Sequence, residues 1–284
     1  MIQKPEVNSL RELRGYGEAY LKEAQIADAK TDAWLLLEYA AHITKSGYFM
    51  HMHEVIPEED AALYMKLIER RAARIPLQYL TGEAWCYGNR FLVNHHVLIP
   101  RQDTEILIEE AARRLHAGMR VLDLCTGSGC ILISLLKQTM ISGTGSDLSA
   151  EALAVAKKNA ELHHVHAEWI RSDLFQEIEG KYDMIVSNPP YIPADDIPLL
   201  DPEVRDHEPH MALEGGTDGL DFYRRITEAS GNYLKEKGWL CVEIGYDEGS
   251  AVKEMFETNG YSEVSVIQDY AGLDRVVCGM KRGV

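Results

Sequence analysis

The sequence predicts an α/β protein in which a doubly wound, mostly parallel sheet follows a small N-terminal helical bundle. Its 284 residues exceed the usual size of one domain, and 46% hydrophobic with 26% charged residues is an ordinary globular composition. Only three of the 22 glycines lie in residues 1–80. From about residue 105, short strand-like runs alternate with helical runs, which is typical of strands paired in parallel through right-handed crossovers.

Helical patterns fill the N-terminal part, which we assign to a helical domain over residues 1–84. Ser9-Leu-Arg-Glu12 has the spacing of a capping box. A second helix is expected over Ala33–Ala41, directly after Thr31-Asp32, and a third from Pro57 to Arg74. The basic residues that end the third helix are interpreted as a solvated terminus favoured by the helix dipole: Arg70, Arg71 and Arg74.

The α/β domain is placed at residues 105–284, with seven strands and four helices. Strands are expected at Arg120–Leu124, Ser142–Asp147, His166–Ser172, Tyr182–Asn188 and Trp239–Gly245, and near 261–268 and 274–280. Helices are expected at Cys130–Lys137 and Ala150–Leu162, and near 219–235 and 248–258. Residues 85–104 are interpreted as a β-hairpin linker in which Phe91–Val93 and His96–Ile99 flank Asn94-His95.

Composition excludes several other classes of protein. No apolar run approaches the roughly 20 residues of a membrane-spanning helix. The stretch after Met1 lacks the apolar segment of an export signal, so we expect a cytoplasmic protein with no membrane partner. The five cysteines are widely spaced and contain no C-x-x-C pair, which argues against a disulfide framework. The histidines lack ligand spacing, and we expect no metal site.

The net charge of −16 has the wrong sign for a protein that binds nucleic acid through its phosphates. Residues 1–80 hold 10 basic and 12 acidic residues, which leaves 19 basic and 33 acidic residues for the rest of the chain. The acidity therefore belongs to the α/β part. We expect no direct nucleic-acid partner.

The first strand of the α/β part runs into a glycine-containing loop, Val121-Leu-Asp-Leu-Cys-Thr-Gly-Ser-Gly-Cys130. In doubly wound sheets this strand, loop and helix lie where a nucleotide comes closest to the backbone. No Gly-Lys-Ser/Thr follows, which excludes a Walker A loop, and Leu132 replaces the third glycine of the dinucleotide fingerprint. The loop therefore indicates a nucleoside site that need not hold phosphate.

Acidic residues end the next two strands of this part. Asp147 follows the glycine loop by about 20 residues, where an acid can accept hydrogen bonds from both ribose hydroxyls. Asp173 could bind the exocyclic amine of adenine, with Leu174 or Phe175 against the ring. The alternative is that Asp147 and Asp173 only cap the following helices.

The fourth strand ends in Asn188-Pro-Pro-Tyr191. The two prolines fix two backbone angles, so that the Asn188 amide and the Pro189 carbonyl can face one point as acceptors for a single NH₂ group. Tyr191 adds a flat face for a planar amide or base. The alternative is a plain turn at the end of the strand.

This motif after such a loop resembles the methyltransferases that modify planar nitrogens, and the sequence as a whole is similar to the release-factor glutamine methyltransferases (HemK/PrmC type). The resemblance covers essentially the whole chain. Four further stretches match that family's pattern: Pro76–Gly82, Val97–Glu105, Glu208–Leu220 and Tyr270–Arg275.

The resemblance implies a Rossmann-like class I S-adenosylmethionine-dependent methyltransferase fold with a seven-stranded sheet. With the assignments above, it implies S-adenosylmethionine as cofactor, held by Cys125, Thr126, Gly127, Ser128, Gly129, Asp147, Asp173, Leu174 and Asn188. It places the substrate glutamine against Asn188, Pro189, Pro190 and Tyr191, of which Asn188, Pro189 and Tyr191 are the expected catalytic residues.

The chain departs from the family pattern at two positions. Cys125 stands where the family usually has Gly, and Gln102 where it often has Pro. A small Cys is expected to be tolerated if its φ is negative. Arg101 and Glu105 either act on the substrate or tie the linker to the catalytic domain, and the structural role is favoured.

The implied activity is methylation of the side-chain amide nitrogen (N5) of the glutamine in the Gly-Gly-Gln motif of peptide chain release factors. The helical domain would dock this protein substrate, and a monomer is expected. Three alternatives stay open: an adenine-N6 methyltransferase acting on nucleic acid, a glutamine methyltransferase acting on a ribosomal protein, and a non-catalytic cofactor-binding scaffold. The acidic α/β part argues against the first, and the intact Asn188–Tyr191 motif against the last.

Overall fold

The structure is a computed structural model that describes residue 5 and residues 7–283. The described chain forms two compact units. The helical unit holds the described residues up to Gly82 together with Pro202–His207, and the α/β unit holds Glu83–Asp201 and the residues from Glu208 onward. Residues 1–4 and 6, on which much of the export-signal expectation rests, lie outside the described residues.

The helices and strands are numbered here in chain order. The helices are α1 (Leu10–Glu23), α2 (Ala29–Ala41), α3 (Lys45–His51), α4 (Glu58–Ala72), α5 (Leu77–Thr81), α6 (Thr104–Arg114), α7 (Cys130–Gln138), α8 (Ala150–Leu162), α9 (Pro202–His207), α10 (Asp221–Ser230) and α11 (Gly249–Thr258). The strands are β1 (Glu83–Cys86), β2 (Asn89–Leu92), β3 (Arg120–Leu124), β4 (Ser142–Asp147), β5 (Glu168–Arg171), β6 (Tyr182–Ser187), β7 (Leu234–Glu243), β8 (Tyr261–Gln268) and β9 (Asp274–Lys281).

Helices α1 to α5 and α9 make up the helical unit. The side chain of Ser9 accepts a hydrogen bond from the Glu12 N–H at 3.3 Å, which confirms the predicted start of α1. Helix α2 begins at Ala29, earlier than predicted, because Asp32 is not a cap but a buried residue inside the helix. Helices α3 and α5 were not predicted, since seven and five residues are too few to show a clear helical period.

A buried ion network joins three elements of the helical unit. The Arg71 guanidinium lies 2.7 Å from Asp32 of α2 and 3.0 Å from Glu203 of α9. Arg74 also binds Glu203, at 3.3 Å. The interpretation of this arginine cluster as a solvated helix terminus was therefore wrong for Arg71 and Arg74, and correct for the exposed Arg70. Their partners come from distant parts of the chain, and helix spacing alone gives no sign of them.

The α/β unit contains a seven-stranded sheet in the order β5-β4-β3-β6-β7-β9-β8. Strands β3 to β7 pair in parallel, and β9 is antiparallel to both β7 and β8. Side chains alternate between two cores along β6: Met184 and Val186 pack with α6, α7 and α8, and Ile185 packs with α10 and α11. The predicted Rossmann-like, mostly parallel sheet is confirmed.

The chain reverses its winding direction at β3, which lies between β4 and β6. At such a switch point the loops after neighbouring strands diverge and leave a crevice at their carboxyl ends. The predicted glycine loop and Asn188-Pro-Pro-Tyr191 follow β3 and β6, so the fold brings both to this crevice. No helix among residue 5 and residues 7–283 is long and apolar enough to cross a membrane.

The β-hairpin lies earlier in the chain than predicted. It pairs β1 with β2 around Tyr87-Gly88, whose φ angles of 49° and 69° are those of a two-residue hairpin turn. The expected strand His96–Ile99 is irregular instead. Sequence analysis also missed helix α6, and the helix expected near 219–235 ends at Ser230 because β7 begins at Leu234.

Candidate active site

A cavity of about 340 Å³ opens at the carboxyl ends of the central strands. It brings together most of the residues that the sequence predicted for the cofactor and substrate: Cys125, Thr126, Gly127, Ser128, Asp147, Asp173, Leu174, Asn188 and Pro190. Three predicted site residues do not line it: Gly129, Pro189 and Tyr191.

The loop after β3 is held in a tight turn by its own backbone and by β4. The Thr126 N–H donates to the Ser146 carbonyl at 2.9 Å, and the Gly129 N–H donates to the Thr126 carbonyl at 2.8 Å. Gly127 has a φ of 53°, and the space that a side chain there would fill is open. Gly129 has a φ of 79°, and a Cβ on it would lie 3.0 Å from Ile133. Gly129 therefore shapes the loop from behind, while Gly127 leaves room for a ligand.

Two other residues of the cavity wall adopt the left-handed conformation that favours glycine. Cys125 has a φ of 56° and Leu174 a φ of 50°. The condition set for tolerance of Cys125, a negative φ, is therefore not met. The cost of this conformation for a residue with a side chain is about 1–2 kcal/mol. Such strained residues cluster at functional sites, where surrounding structure holds them in place.

Asp147 lies in the cavity wall and fixes the glycine loop. Its Oδ2 accepts from the Gly127 N–H and its Oδ1 from the Ser149 N–H, both at 2.9 Å. Burial raises the pKa of Asp147 in spite of these hydrogen bonds. Helix α8 is capped by the Ser149 side chain, which accepts from the Ala152 N–H, so the alternative of a helix-capping Asp147 does not apply. Each carboxylate oxygen keeps a lone pair for a further donor.

Asp173 lines the cavity as one half of an ion pair. Its carboxylate accepts from Arg225 at 2.6 Å, and Arg225 also lines the cavity. The residues after Asp173 form turns rather than a helix, so the helix-capping alternative does not apply here either. Of the two predicted ring contacts, Leu174 lies in the wall, whereas Phe175 stacks on Tyr233 with ring centroids 4.6 Å apart.

The turn after β6 presents Asn188 and Pro190 to the cavity. Pro189 is buried, and Tyr191 is half-buried against the core that α10 and α11 share. Burial raises the pKa of Tyr191 well above its ordinary value. Tyr191 therefore supports the turn from behind rather than lining the cavity as a flat face.

A polar network lies behind Asn188. The Asn188 Nδ2 donates to the Thr104 hydroxyl at 3.4 Å, and both side chains face the carboxyl group of Glu243 at the end of β7. Glu243 is 1% exposed, and its Oε2 has no hydrogen-bond partner. Burial raises the pKa of Glu243 to about 7, although Thr104 and Asn188 act in the opposite direction.

A second buried carboxyl group lies under the glycine loop. Asp123 of β3 is fully buried and accepts from the Thr126 hydroxyl at 2.5 Å through Oδ2, while its Oδ1 has no partner. Burial raises the pKa of Asp123 to about 7. Thr126 in turn lines the cavity, so this carboxyl group supports the loop from below.

Arg101 and Glu105 both make contacts that hold the chain together. Arg101 forms an ion pair with the buried Glu208, which also accepts from the Ile99 N–H at 3.1 Å. Glu105 accepts from the Tyr87 N–H at 2.7 Å, at the turn of the hairpin. These contacts agree with the structural role that the sequence favoured.

Sequence analysis missed several residues of the site. The stretch Glu208–Leu220, noted only for its resemblance, contributes Pro209, Met211, Ala212 and Glu214 to the cavity wall. It also backs the turn after β6, because a Cβ on Gly215 would lie 2.7 Å from the Cα of Tyr191. Thr104 stood in another such stretch. The signal available for these residues was therefore that they lie in stretches matching the family pattern. Glu243 and Arg225 lie in no such stretch, and the sequence carries no signal for them.

The described part of the chain, residue 5 and residues 7–283, contains no group of three or more His, Cys, Asp or Glu side chains placed to hold a metal ion. All five cysteines are free thiols, and four of them are buried.

Comparison with known proteins agrees with this architecture. Residues 12–82 match the family model described as PrmC N-terminal domain, and residues 101–197 match the one described as methyltransferase small domain. A methyltransferase structure from Pyrococcus furiosus superposes with a TM-score of 0.57 at 19% identity, covering 76% of this chain and all of that one. The fold and the matched domain define an S-adenosylmethionine-dependent methyltransferase.

Curated relatives narrow this class to one family. A release factor glutamine methyltransferase from Geobacter sulfurreducens is 41% identical over 281 residues, which is 98% of this chain and 99% of the relative. Another, from Agrobacterium fabrum, is 40% identical over 267 residues, covering 90% and 92% of the two chains. The chain belongs to the release factor glutamine methyltransferase family.

Proposed function

We propose that this enzyme transfers a methyl group from S-adenosylmethionine to the side-chain amide nitrogen (N5) of the glutamine in the Gly-Gly-Gln motif of peptide chain release factors. One observation carries the proposal: Asn188, at the end of β6, and the loop residues Cys125–Ser128, after β3, line the same cavity. A group that accepts from an NH₂ and a loop suited to a nucleoside are thereby juxtaposed. Family membership supplies the substrate class.

The cavity residues fit the proposed cofactor. The open space beside Gly127 admits a ligand close to the backbone, and Asp147 keeps lone pairs for the ribose hydroxyls. Leu174 offers an apolar contact for the adenine ring. Asp173 is paired with Arg225, but its carboxylate keeps lone pairs that can accept a hydrogen bond from the adenine amine. S-adenosylmethionine, when bound, supplies a methyl group activated by the adjacent sulfonium.

The chain's own contribution is to orient and polarise a weak nucleophile. An amide nitrogen reacts poorly because its lone pair is delocalised into the carbonyl group. The Asn188 side-chain oxygen, as an acceptor for an amide hydrogen, draws electron density onto the nitrogen and fixes its direction, whereas the Pro189 carbonyl expected as a second acceptor belongs to a residue outside the cavity wall. Pro190 limits the turn's freedom, and Tyr191 holds it from the core side. No nucleophilic side chain is required.

The domain assignment follows from this reaction. We infer that residues 1–84 dock the release factor, that residues 85–104 link the two domains, and that residues 105–284 catalyse methyl transfer. Because the proposed substrate acts in translation, the reaction is placed in the cytoplasm, with a monomer as the acting species. A glutamine of a ribosomal protein and an adenine base bear similar planar NH₂ groups and are the alternatives to test.

A label-transfer assay with the purified full chain tests the proposal. Methyl-labelled S-adenosylmethionine is supplied with a release factor, with the same factor carrying alanine for the Gly-Gly-Gln glutamine, with ribosomal proteins, or with duplex DNA. We expect label in the unaltered release factor alone. Asn188→Ala should lower the transfer rate by about 10²–10³ while cofactor binding persists in part. Label in DNA, in a ribosomal protein or in the altered factor would replace this substrate assignment.

A further inference from the structure

The amide of Asn188 can serve as an acceptor only in one of its two orientations. Its oxygen must face the cavity, and its NH₂ must face the protein. A side-chain amide can rotate by 180° with little change in shape, so shape alone does not select the productive orientation. The selecting group must lie behind Asn188, on the side away from the cavity.

The buried carboxyl group of Glu243 lies on that side. Ser187 of β6 is in register with Val242 of β7, so the next residues along these parallel strands, Asn188 and Glu243, are neighbours. Burial raises the pKa of Glu243 to about 7, so above that pH the group is a carboxylate, which has no hydrogen to donate and accepts only. Thr104 completes the arrangement, because its hydroxyl accepts from the Asn188 Nδ2 and can then donate to Glu243.

We propose that Glu243, with Thr104, is a positioning residue that turns the Asn188 NH₂ inward and so aims the Asn188 oxygen at the substrate amide. The inference rests on the proposed function, in which Asn188 accepts from that amide. In the opposite orientation the Asn188 oxygen would face the carboxylate and compete with it for the single Thr104 hydroxyl hydrogen, which would leave a buried acceptor without a donor and is unfavourable. Glu243 itself lies outside the cavity wall.

The state of Glu243 supports this role. It is 1% exposed and its Oε2 lacks a hydrogen-bond partner, so the fold bears the cost of burying this group without full compensation. A group that served only to fill space would be replaced by an apolar residue at lower cost. The charged or titratable groups that act on it, or on which it acts, are Arg275, Asp103, Tyr191, Tyr223 and Cys86.

Single-turnover methyl transfer, at saturating cofactor and release factor, tests the proposal in two variants and a control. Glu243→Leu should lower the rate about 100-fold, and Glu243→Gln, which can still accept but can also rotate, about tenfold. The dissociation constant of the cofactor, measured by calorimetry, should change less than about threefold in both. Glu248→Gln is the matched control, because Glu248 is also largely buried with a pKa raised to about 7 by burial, yet faces Gly245. It should keep the normal rate within about threefold.

A double-variant cycle separates positioning from general structural damage. If Glu243 acts through Asn188, then adding Glu243→Leu to Asn188→Ala should change the rate by less than about threefold, because nothing is left to position. Rates that multiply would overturn the proposal, as would a Glu243→Gln variant with the normal rate. If Glu243→Leu does not fold, the isosteric Glu243→Gln decides. A normal rate in Asn188→Ala alone would instead show that Asn188 is not the acceptor in the proposed function. That outcome would contradict the proposed function and is distinct from the outcomes that test Glu243.

Discussion

One ion network in the helical unit and two buried acids in the α/β unit show opposite ways of burying charged groups. In the helical unit, Arg71 lies between Asp32 and Glu203, so these three charges are paired with opposite sign. In the α/β unit, Asp123 and Glu243 each keep an oxygen without a hydrogen-bond partner, and burial raises the pKa of both to about 7. The first arrangement holds helices together. The second gives up stability beside residues of the cavity wall, Thr126 and Asn188.

The largest effect is expected where pairing is broken in the helical unit. Arg71→Ala would leave Asp32 and Glu203 without their shared cation, and removal of one partner from a buried pair costs about 3–5 kcal/mol. Hydrogen exchange of peptides from α2 and α4 measures the loss in this unit alone. Arg70 is the exposed neighbour of Arg71, and Arg70→Ala should change the free energy of exchange by less than about 0.5 kcal/mol. Equal effects of the two substitutions would show that the ion network does not stabilise the helical unit.

For the buried acid Glu243 of the α/β unit, we expect substitution to raise the stability rather than to lower it. The pKa of Glu243 is raised from 4.5 to about 7, so its contribution to stability is present below pH 4.5 and is lost as the pH rises through 7. The free energy of unfolding of Glu243→Gln, taken relative to that of the parent, should therefore be about 2 kcal/mol higher at pH 8 than at pH 5.

Denaturant unfolding of the α/β unit at the two pH values measures this difference. Arg275, Asp103 and Tyr191 interact electrostatically with the same carboxyl group, and Asp123 also has a raised pKa, so the comparison of parent with variant isolates Glu243. A constant difference across the pH range would show that Glu243 is ionised normally.

A smaller effect is expected at the cofactor loop. Asp147→Asn replaces one acceptor oxygen by a donor that faces either the Gly127 or the Ser149 N–H, so cofactor affinity should fall about tenfold. Asp173→Asn is the matched comparison, because Asp173 already has Arg225 as a partner. Its effect on the dissociation constant should be smaller. Calorimetric titration with S-adenosylmethionine gives both values, and the reverse ranking would assign the stronger contact to Asp173.

The smallest effect concerns backbone strain at Cys125. Both Cys125→Ala and Cys125→Gly remove the thiol, but only glycine relieves the φ of 56°. The glycine variant should be more stable than the alanine variant by about 1 kcal/mol, as measured by thermal unfolding. Equal stability would mean that the surrounding loop, rather than the residue type, sets this conformation without strain.

Sequence reasoning succeeded where one local pattern fixes one local structure. The glycine loop after β3, Asp147 after β4 and Asn188 after β6 follow from strand ends that a parallel sheet places along one edge. It failed where the outcome depends on distant partners. Arg71 finds Glu203 of α9, more than a hundred residues away, and Glu243 reaches Asn188 only through strand register. The hairpin was misplaced because Tyr87, not an Asn or Gly, adopts the first left-handed position of its turn.

The central claim is that this chain methylates one glutamine side chain of a release factor. Peptide mapping by mass spectrometry, after incubation of the enzyme with S-adenosylmethionine and an unmodified release factor, tests it most directly. We predict one added methyl group on the side-chain nitrogen of the Gly-Gly-Gln glutamine, and none when Asn188→Ala replaces the parent enzyme over the same time. A methyl group on any other residue, or an unmodified release factor after full incubation with the parent enzyme, would contradict the account.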